Sequence, residues 1–329
     1  MSFADDLERF GPDASYSLSP GEARDYCAGL TASHYENFHV VTWLTPRPLR
    51  PAFQAVYAFC RWSDDLGDEV GDRQRSRELL AWWRGELRAM YEGRARHPVF
   101  LALSDVVREF GIPIDPFEAL ISAFEQDQDV LEYDTFDQLL DYCTRSANPV
   151  GRLVLYLGRF HDEANARLSD LTCTALQLAN HWQDVSRDLD IGRIYLPREE
   201  LDRFGVAPDD LRARRFTPDF ARLMAFQVGR VRAMFAEGWP LVARMPRALA
   251  VDVDLFTRGG IAILDKIERL GFDVLTSRPS LGKPDKLRLL ARAVLGRLGF
   301  AGRPRAPVPR GDARLDSGTH AAPARGGAS

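Results

Sequence analysis

Residues 57–70 read YAFCRWSDDLGDEV, an aromatic and apolar run that ends in three aspartates, Asp64, Asp65 and Asp68. Tyr57, Arg61, Asp64 and Asp68 fall at i, i+4, i+7 and i+11, so on a helix these four share one face. Like charges four apart on a helix stand about 5–6 Å from each other and repel mildly. Bulk water, neighbouring basic side chains or a bound cation would offset that repulsion. The flanking Phe53, Val56 and Cys60 are apolar, which argues against a helix solvated all round.

A second segment repeats the pattern. Residues 177–188 read QLANHWQDVSRD, with Asp184 and Asp188 again four apart. Gln177, Asn180, Asp184 and Asp188 form a stripe at i, i+3, i+7 and i+11, flanked by Leu176, Ala179 and Trp182. Each pair taken singly also suits a solvated face or ion pairs with nearby Arg and Lys. Taken together, they predict two facing helices whose carboxylates line the mouth of an apolar tunnel. Oxygen-only donors on separate elements suit Mg²⁺, which keeps several waters and is shared between carboxylates and substrate phosphates. A diphosphate held in that way becomes a good leaving group. An apolar, aromatic-lined cavity would then shield the carbocation left behind from random water.

The rest of the chain agrees with a helical protein. Helical periodicity predicts helices over about 20–33, 48–69, 73–92, 98–110, 114–129, 134–157, 162–190, 217–243, 247–270 and 283–299, with few strand patterns and no repeat. Ser19-Pro20 before Glu22, Thr135 before Gln138 and Thr217-Pro218 are start signals, and Gly111, Pro113 and Pro208 are breakers. The expected architecture is one all-α domain over 15–299, preceded by an N-terminal extension, 1–14. A tail, 300–329, is rich in Pro, Gly, Ala and Arg and is too poor in large apolar groups to order itself. Between them, 283–300 carries Lys283, Lys286, Arg288, Arg292 and Arg297 against Asp285, with leucines at helical spacing. That segment is read as a terminal helix docked on the core, or as a basic amphipathic helix leaning on an anionic membrane.

Composition narrows the classes. The 329 residues are 45% apolar and 27% charged, ordinary for a globular chain, and the net charge of −4 offers no overall basic surface to nucleic acid. Cys27, Cys60, Cys143 and Cys173 are widely spaced in apolar or helical surroundings, a pattern of reduced cytoplasmic thiols rather than disulfides or a zinc site. No signal peptide opens the sequence, and no apolar run approaches the roughly 18 residues that span a bilayer. The expectation is a cytoplasmic protein, with peripheral contact at the inner membrane face through 283–300. His34, His39, His97, His161 and His181 show no ligand spacing, and structural roles are expected for them.

YAFCRWSDDLGDE, FDQLLDYC, QLANHWQDVSRD followed by GRIYLP (192–197), and ILDKIERLGFDVL (263–275) occur in an order and at spacings that resemble the squalene/phytoene synthase family. The resemblance covers roughly 25–290 and implies the all-α isoprenoid synthase helical bundle around a central cavity. It also implies Mg²⁺-dependent chemistry on C15 prenyl diphosphates. Position by position, it implies Mg²⁺ ligation by Asp64, Asp68, Asp184 and Asp188. It places Tyr57 and Arg61 at the diphosphate end of the substrate, Gln177 and Asn180 as a polar pair, and Tyr142 near the cavity. Phe38 matches a flap aromatic, and Arg50 matches an arginine of the following helix.

Several positions depart from the family pattern. YCTRSANPVG places Ser146, Asn148 and Pro149 where small or apolar residues are usual, Gln183 replaces an arginine, and Gly260 replaces a tyrosine. These changes predict a more open and more polar cavity with one positive charge fewer beside the diphosphate. SHYENF, GDEVGD, RSANPVGR and ANHWQDVSRD resemble the hydroxysqualene synthases of bacterial hopanoid pathways. That resemblance implies ionisation of presqualene diphosphate and quenching of the rearranged cation by water. It also implies functional association with other squalene-pathway enzymes. No nicotinamide fingerprint is present. Asn148 and Ser146 are the expected holders of the attacking water, with Gly260 leaving room for it. Against this, Asn148-Pro149 equally suits a kink or cap whose side chain bonds locally. The alternatives are a head-to-head condensing enzyme and a non-catalytic scaffold, which should have lost the four carboxylates.

Overall fold

The computed structural model describes residues 2–33, 45–285, 287–289 and 291. Phe38, His34, His39, most of the 283–300 segment and the 300–329 tail lie outside the described residues. Among the described residues the chain is all-α, and its β pairing is the isolated parallel bridge between Glu132 and Ile194.

Two long helices carry the acidic stripes. Arg50–Asp68 packs against Pro20–Ser33, Arg73–Tyr91, Pro98–Phe110 and Asp115–Gln126. Its inner face buries Phe59 and Trp62, with Trp83 stacked on Trp62 at 5.3 Å. Glu163–Asp190 packs against Asn148–Leu157, Pro218–Gly238 and Arg247–Arg269 around Trp182 and Phe235. Asn148–Leu157 touches both assemblies and closes the space between them.

The start signals work as read. Thr135 and Gln138 form a capping box, and Thr217 Oγ1 accepts from the Phe220 amide at 3.1 Å. Gly111 ends the Pro98–Phe110 helix at φ 64°, a conformation that costs glycine nothing.

Four expectations change. The helix expected over 134–157 is two, Phe136–Ser146 and Asn148–Leu157, because Pro149 has no N–H to continue the ladder and disfavours helical geometry just before it. Pro240 likewise divides 217–243 into Pro218–Gly238 and Pro240–Arg244. The first residues are more than an extension. Phe3–Phe10 is a helix with its own capping box, Phe10 is buried in the core, and Phe3 meets Trp62 edge-on at 5.3 Å. Short helices Arg198–Phe204 and Pro208–Arg212 also lie where no helix was expected.

Candidate active site

A cavity of about 500 Å³ runs between the two stripe-bearing helices. Tyr57, Arg61 and Asp64 line it at one end, while Phe53, Val56, Phe124, Val154, Leu176 and Phe256 supply apolar wall. That volume lies within the usual range of roughly 300–1,000 Å³ for small-molecule sites.

The first motif is charge-balanced from within its own helix. Arg61 Nε donates to Asp65 Oδ2 at 2.9 Å, and its Nη1 reaches Asp64 Oδ2 at 3.5 Å. Asp65 is the buried member, and burial outweighs Arg61 to push its carboxyl up to about 6. Asp64 is also raised, first by burial and then by Asp68. Asp68 is half exposed and lies 3.5 Å from Arg193 Nη2.

The second motif depends on residues from elsewhere. Arg278 grips Asp184 with two nitrogens, Nη2 to Oδ2 at 3.0 Å and Nε to Oδ1. Asp188 is pushed up to about 7 by burial and by Asp184, against the pull of Arg193 and Arg278. Arg193 Nη2 also donates to the carbonyl of Asp127 at 3.4 Å, so one guanidinium from the loop after the second motif reaches both the first motif and the end of the Asp115–Gln126 helix. The Asp127 side chain is buried and accepts from the Tyr142 hydroxyl at 2.9 Å. Burial moves Asp127 up to about 6. Sequence reasoning missed Arg193, Asp127 and Arg278. An arginine directly after the second motif, inside GRIYLP, was a usable signal for Arg193; nothing local marks Arg278.

The remaining site residues divide. Ser146 lines the cavity, with its hydroxyl donating to the Tyr142 carbonyl at 3.0 Å. Asn148 is buried against Thr174, whose hydroxyl donates to Asn148 Oδ1 at 2.9 Å, and Asn148 does not appear in the cavity wall. The room expected at Gly260 is taken. A Cβ there would stand 2.6 Å from Phe235 Cζ and 3.0 Å from Leu176 Cδ2, so the glycine allows close helix packing rather than a water site. Tyr142 sits in an aromatic group with Tyr133 and Tyr195 instead of on the cavity wall. Arg50 opens its helix and donates to the Thr45 carbonyl at 3.3 Å, about 20 Å along the axis from Asp64. Gln177 shares a 3.3 Å hydrogen bond with His181, and Asn180 is exposed. The positive charge expected to be lost at Gln183 is supplied by Arg278. The histidines described have structural partners: His97 Nδ1 caps Val99, His161 stacks on Tyr156, and His181 stacks on Tyr195 at 3.6 Å.

Of the four aspartates expected to line the mouth, Asp64 is on the cavity wall and Asp68, Asp184 and Asp188 are not; all four offer oxygen donors. Among the described residues no three His, Cys, Asp or Glu side chains converge to hold a metal by themselves. Carboxylates available in ones and twos fit Mg²⁺, which completes its shell with water and phosphate oxygens.

The comparisons with known proteins identify a family. The family profile described as squalene/phytoene synthase matches residues 31–285. The phytoene synthase of Thermus thermophilus is 35% identical over 265 residues, covering 80% of this chain and 89% of that protein. The presqualene diphosphate synthase of Rhodopseudomonas palustris is 32% identical over 255 residues, 77% of this chain and 91% of the relative. Among solved structures, the squalene synthase HpnC from Alicyclobacillus acidocaldarius superposes with a TM-score of 0.74 at 48% identity, covering 77% of this chain and 95% of that one. A dehydrosqualene synthase shares the fold at 24% identity and a TM-score of 0.73. The chain therefore belongs to the squalene/phytoene synthase family, isoprenoid synthases that act on prenyl diphosphates.

Proposed function

We propose that this protein is a Mg²⁺-dependent hydroxysqualene synthase, which ionises presqualene diphosphate and quenches the rearranged cation with water. The observation that carries the reading is a largely apolar cavity bounded at one end by Tyr57, Arg61 and Asp64, in a chain 48% identical to a squalene synthase of the HpnC type. Asp64, Asp68, Asp184 and Asp188 would hold Mg²⁺, which supplies neutralisation of the charge that develops on the departing diphosphate. Tyr57 and Arg61 orient the diphosphate end. The apolar walls keep bulk water from the cation. Ser146, on the cavity wall, is the candidate to hold the single attacking water; Asn148 acts one step back, fixing the start of the Asn148–Leu157 helix through Thr174.

The test is incubation with Mg²⁺ and presqualene diphosphate, without a nicotinamide cofactor, and mass identification of extracted products. A C30 alcohol is expected, reduced roughly 10²–10³-fold in Asp64→Asn and Asp184→Asn, the scale of losing one preorganised electrostatic contact. Consumption of farnesyl or geranylgeranyl diphosphate instead would make the protein a head-to-head condensing enzyme. That second reading is favoured by the 35% and 32% identities to a phytoene and a presqualene diphosphate synthase.

Among the described residues no helix is long and apolar enough to cross a membrane. Peripheral contact through the basic 283–300 segment suits a C30 substrate. Exposed Leu287 points the same way. Salt-sensitive binding to anionic liposomes is expected to disappear on deletion of 283–329.

A further inference from the structure

After the Arg247–Arg269 helix the chain crosses the second-motif helix as an irregular strap, residues 275–282. The strap is tied at both ends. Val274 and Leu275 are buried in the core, and Lys266 Nζ holds Asp285 at 2.7 Å. Between those ties Gln183, itself buried, donates from Nε2 to the carbonyl of Pro279 at 2.7 Å. Proline has no N–H to offer, so the carbonyl is the only hydrogen-bonding group of residue 279 that a side chain can hold. The residue next to it is Arg278, whose guanidinium takes both oxygens of Asp184. Fixing the Pro279–Ser280 peptide, with the proline ring stiffening the link back to Arg278, restricts where that guanidinium can rest.

A two-nitrogen arginine–carboxylate pair takes one lone pair on each oxygen, about half of the carboxylate's acceptor sites, and places a positive charge where a divalent ion would sit. We propose that Gln183 is a positioning residue: through Pro279 it holds Arg278 over Asp184 as an internal counter-ion, and a metal ion must displace that guanidinium to reach the carboxylate. The inference rests on Asp184 being a metal ligand, as proposed above. Its consequence is an enzyme that binds metal weakly when empty. Metal binds well only when an incoming polyanion draws Arg278 away. Gln183 controls this balance without adding any charge of its own.

Mn²⁺ titration followed by electron paramagnetic resonance tests this on the full chain, with and without inorganic pyrophosphate. Gln183→Met removes the donor at similar volume and no change of charge. Arg278→Gln removes the counter-ion. Without pyrophosphate, Arg278→Gln is expected to bind Mn²⁺ roughly fivefold more tightly than wild type and Gln183→Met about two- to threefold more tightly, the scale of a part-exposed ion pair. With pyrophosphate the gain should shrink. Tightening in Arg278→Gln with none in Gln183→Met would overturn the positioning role, leaving only the removal of a charge. With pyrophosphate present, equal Mn²⁺ binding by wild type and Asp184→Asn would overturn the metal assignment itself, and the inference with it. Should Gln183→Met fail to fold, Arg278→Lys decides. It keeps the charge and loses the two-pronged grip, so wild-type affinity in that variant refutes the proposal.

Discussion

On the Arg50–Asp68 helix the counter-ion is local: Arg61 lies one turn before Asp64 and Asp65 and pairs with both. On the Glu163–Asp190 helix it is mainly remote: Arg187 of the same helix reaches Asp184 only at 4.0 Å, whereas Arg278, 94 positions further along the chain, grips it with two nitrogens, and Arg193 and Arg278 offset the push of Asp184 on Asp188. A lone helix could assemble the first arrangement, whereas the second exists only once the strap and the GRIYLP loop are in place. The two acidic motifs therefore look alike in sequence and differ in what holds them. The first is built beside the packed core around Trp62 and Trp83, and the second is held by side chains from the strap and the GRIYLP loop.

The comparison breaks most readily at the arginines. Arg61→Ala strands Asp65, whose side chain is only 4% exposed, and a loss on the order of 3 kcal/mol in urea unfolding is expected from an uncompensated buried charge. Arg278→Ala, on a strap about one-third exposed, should cost no more than about 1 kcal/mol. Equal losses would mean that the strap is as much a part of the core as the first helix. A middling effect is expected from pH. Asp188 titrates at about 7 in the fold, above the roughly 3.9 of an exposed aspartate, so the folded state binds the proton more tightly than the unfolded chain does. That preference stabilises the fold fully below about pH 4 and is lost as pH rises through 7. Asp188→Asn should match wild type near pH 4 and exceed it by about 1–2 kcal/mol near pH 8, after allowance for partial exposure. Thermal unfolding at the two pH values reads this directly. The smallest effect belongs to Asp68, half exposed and 3.5 Å from Arg193: Asp68→Asn should shift stability by less than about 0.5 kcal/mol.

Much of this was legible in the sequence, and the boundary has a physical reason. The two stripes, the capping boxes and the all-α character follow from periodicity and local chemistry, which act over a few residues. Ala147, where one expected helix becomes two, was signalled by Pro149 but needed a decision between a kink and a break. Gly260 misled because a missing side chain predicts space only if nothing else moves in, and Phe235 does. Asp127, Arg193 and Arg278 were invisible as site residues because their partners are set by tertiary packing. Asn148 points to Thr174, 26 residues on, a contact that no local pattern announces.

Each motif also has a buried tryptophan two residues before its first aspartate, and the two indoles differ. Trp62 is stacked on Trp83 and donates to the Tyr26 hydroxyl at 2.9 Å, while Trp182 is fully buried and its Nε1 has no hydrogen-bond partner among the described residues. A stacked pair of indoles couples excitonically and leaves a paired band in the near-ultraviolet circular dichroism; a lone, dry indole emits at the blue edge of tryptophan fluorescence. One such signal thus lies beside each acidic motif, among the contributions of the chain's other tryptophans. Once Trp62→Phe and Trp182→Phe variants assign the two signals, the order in which the motifs respond to ligand can be followed without a label.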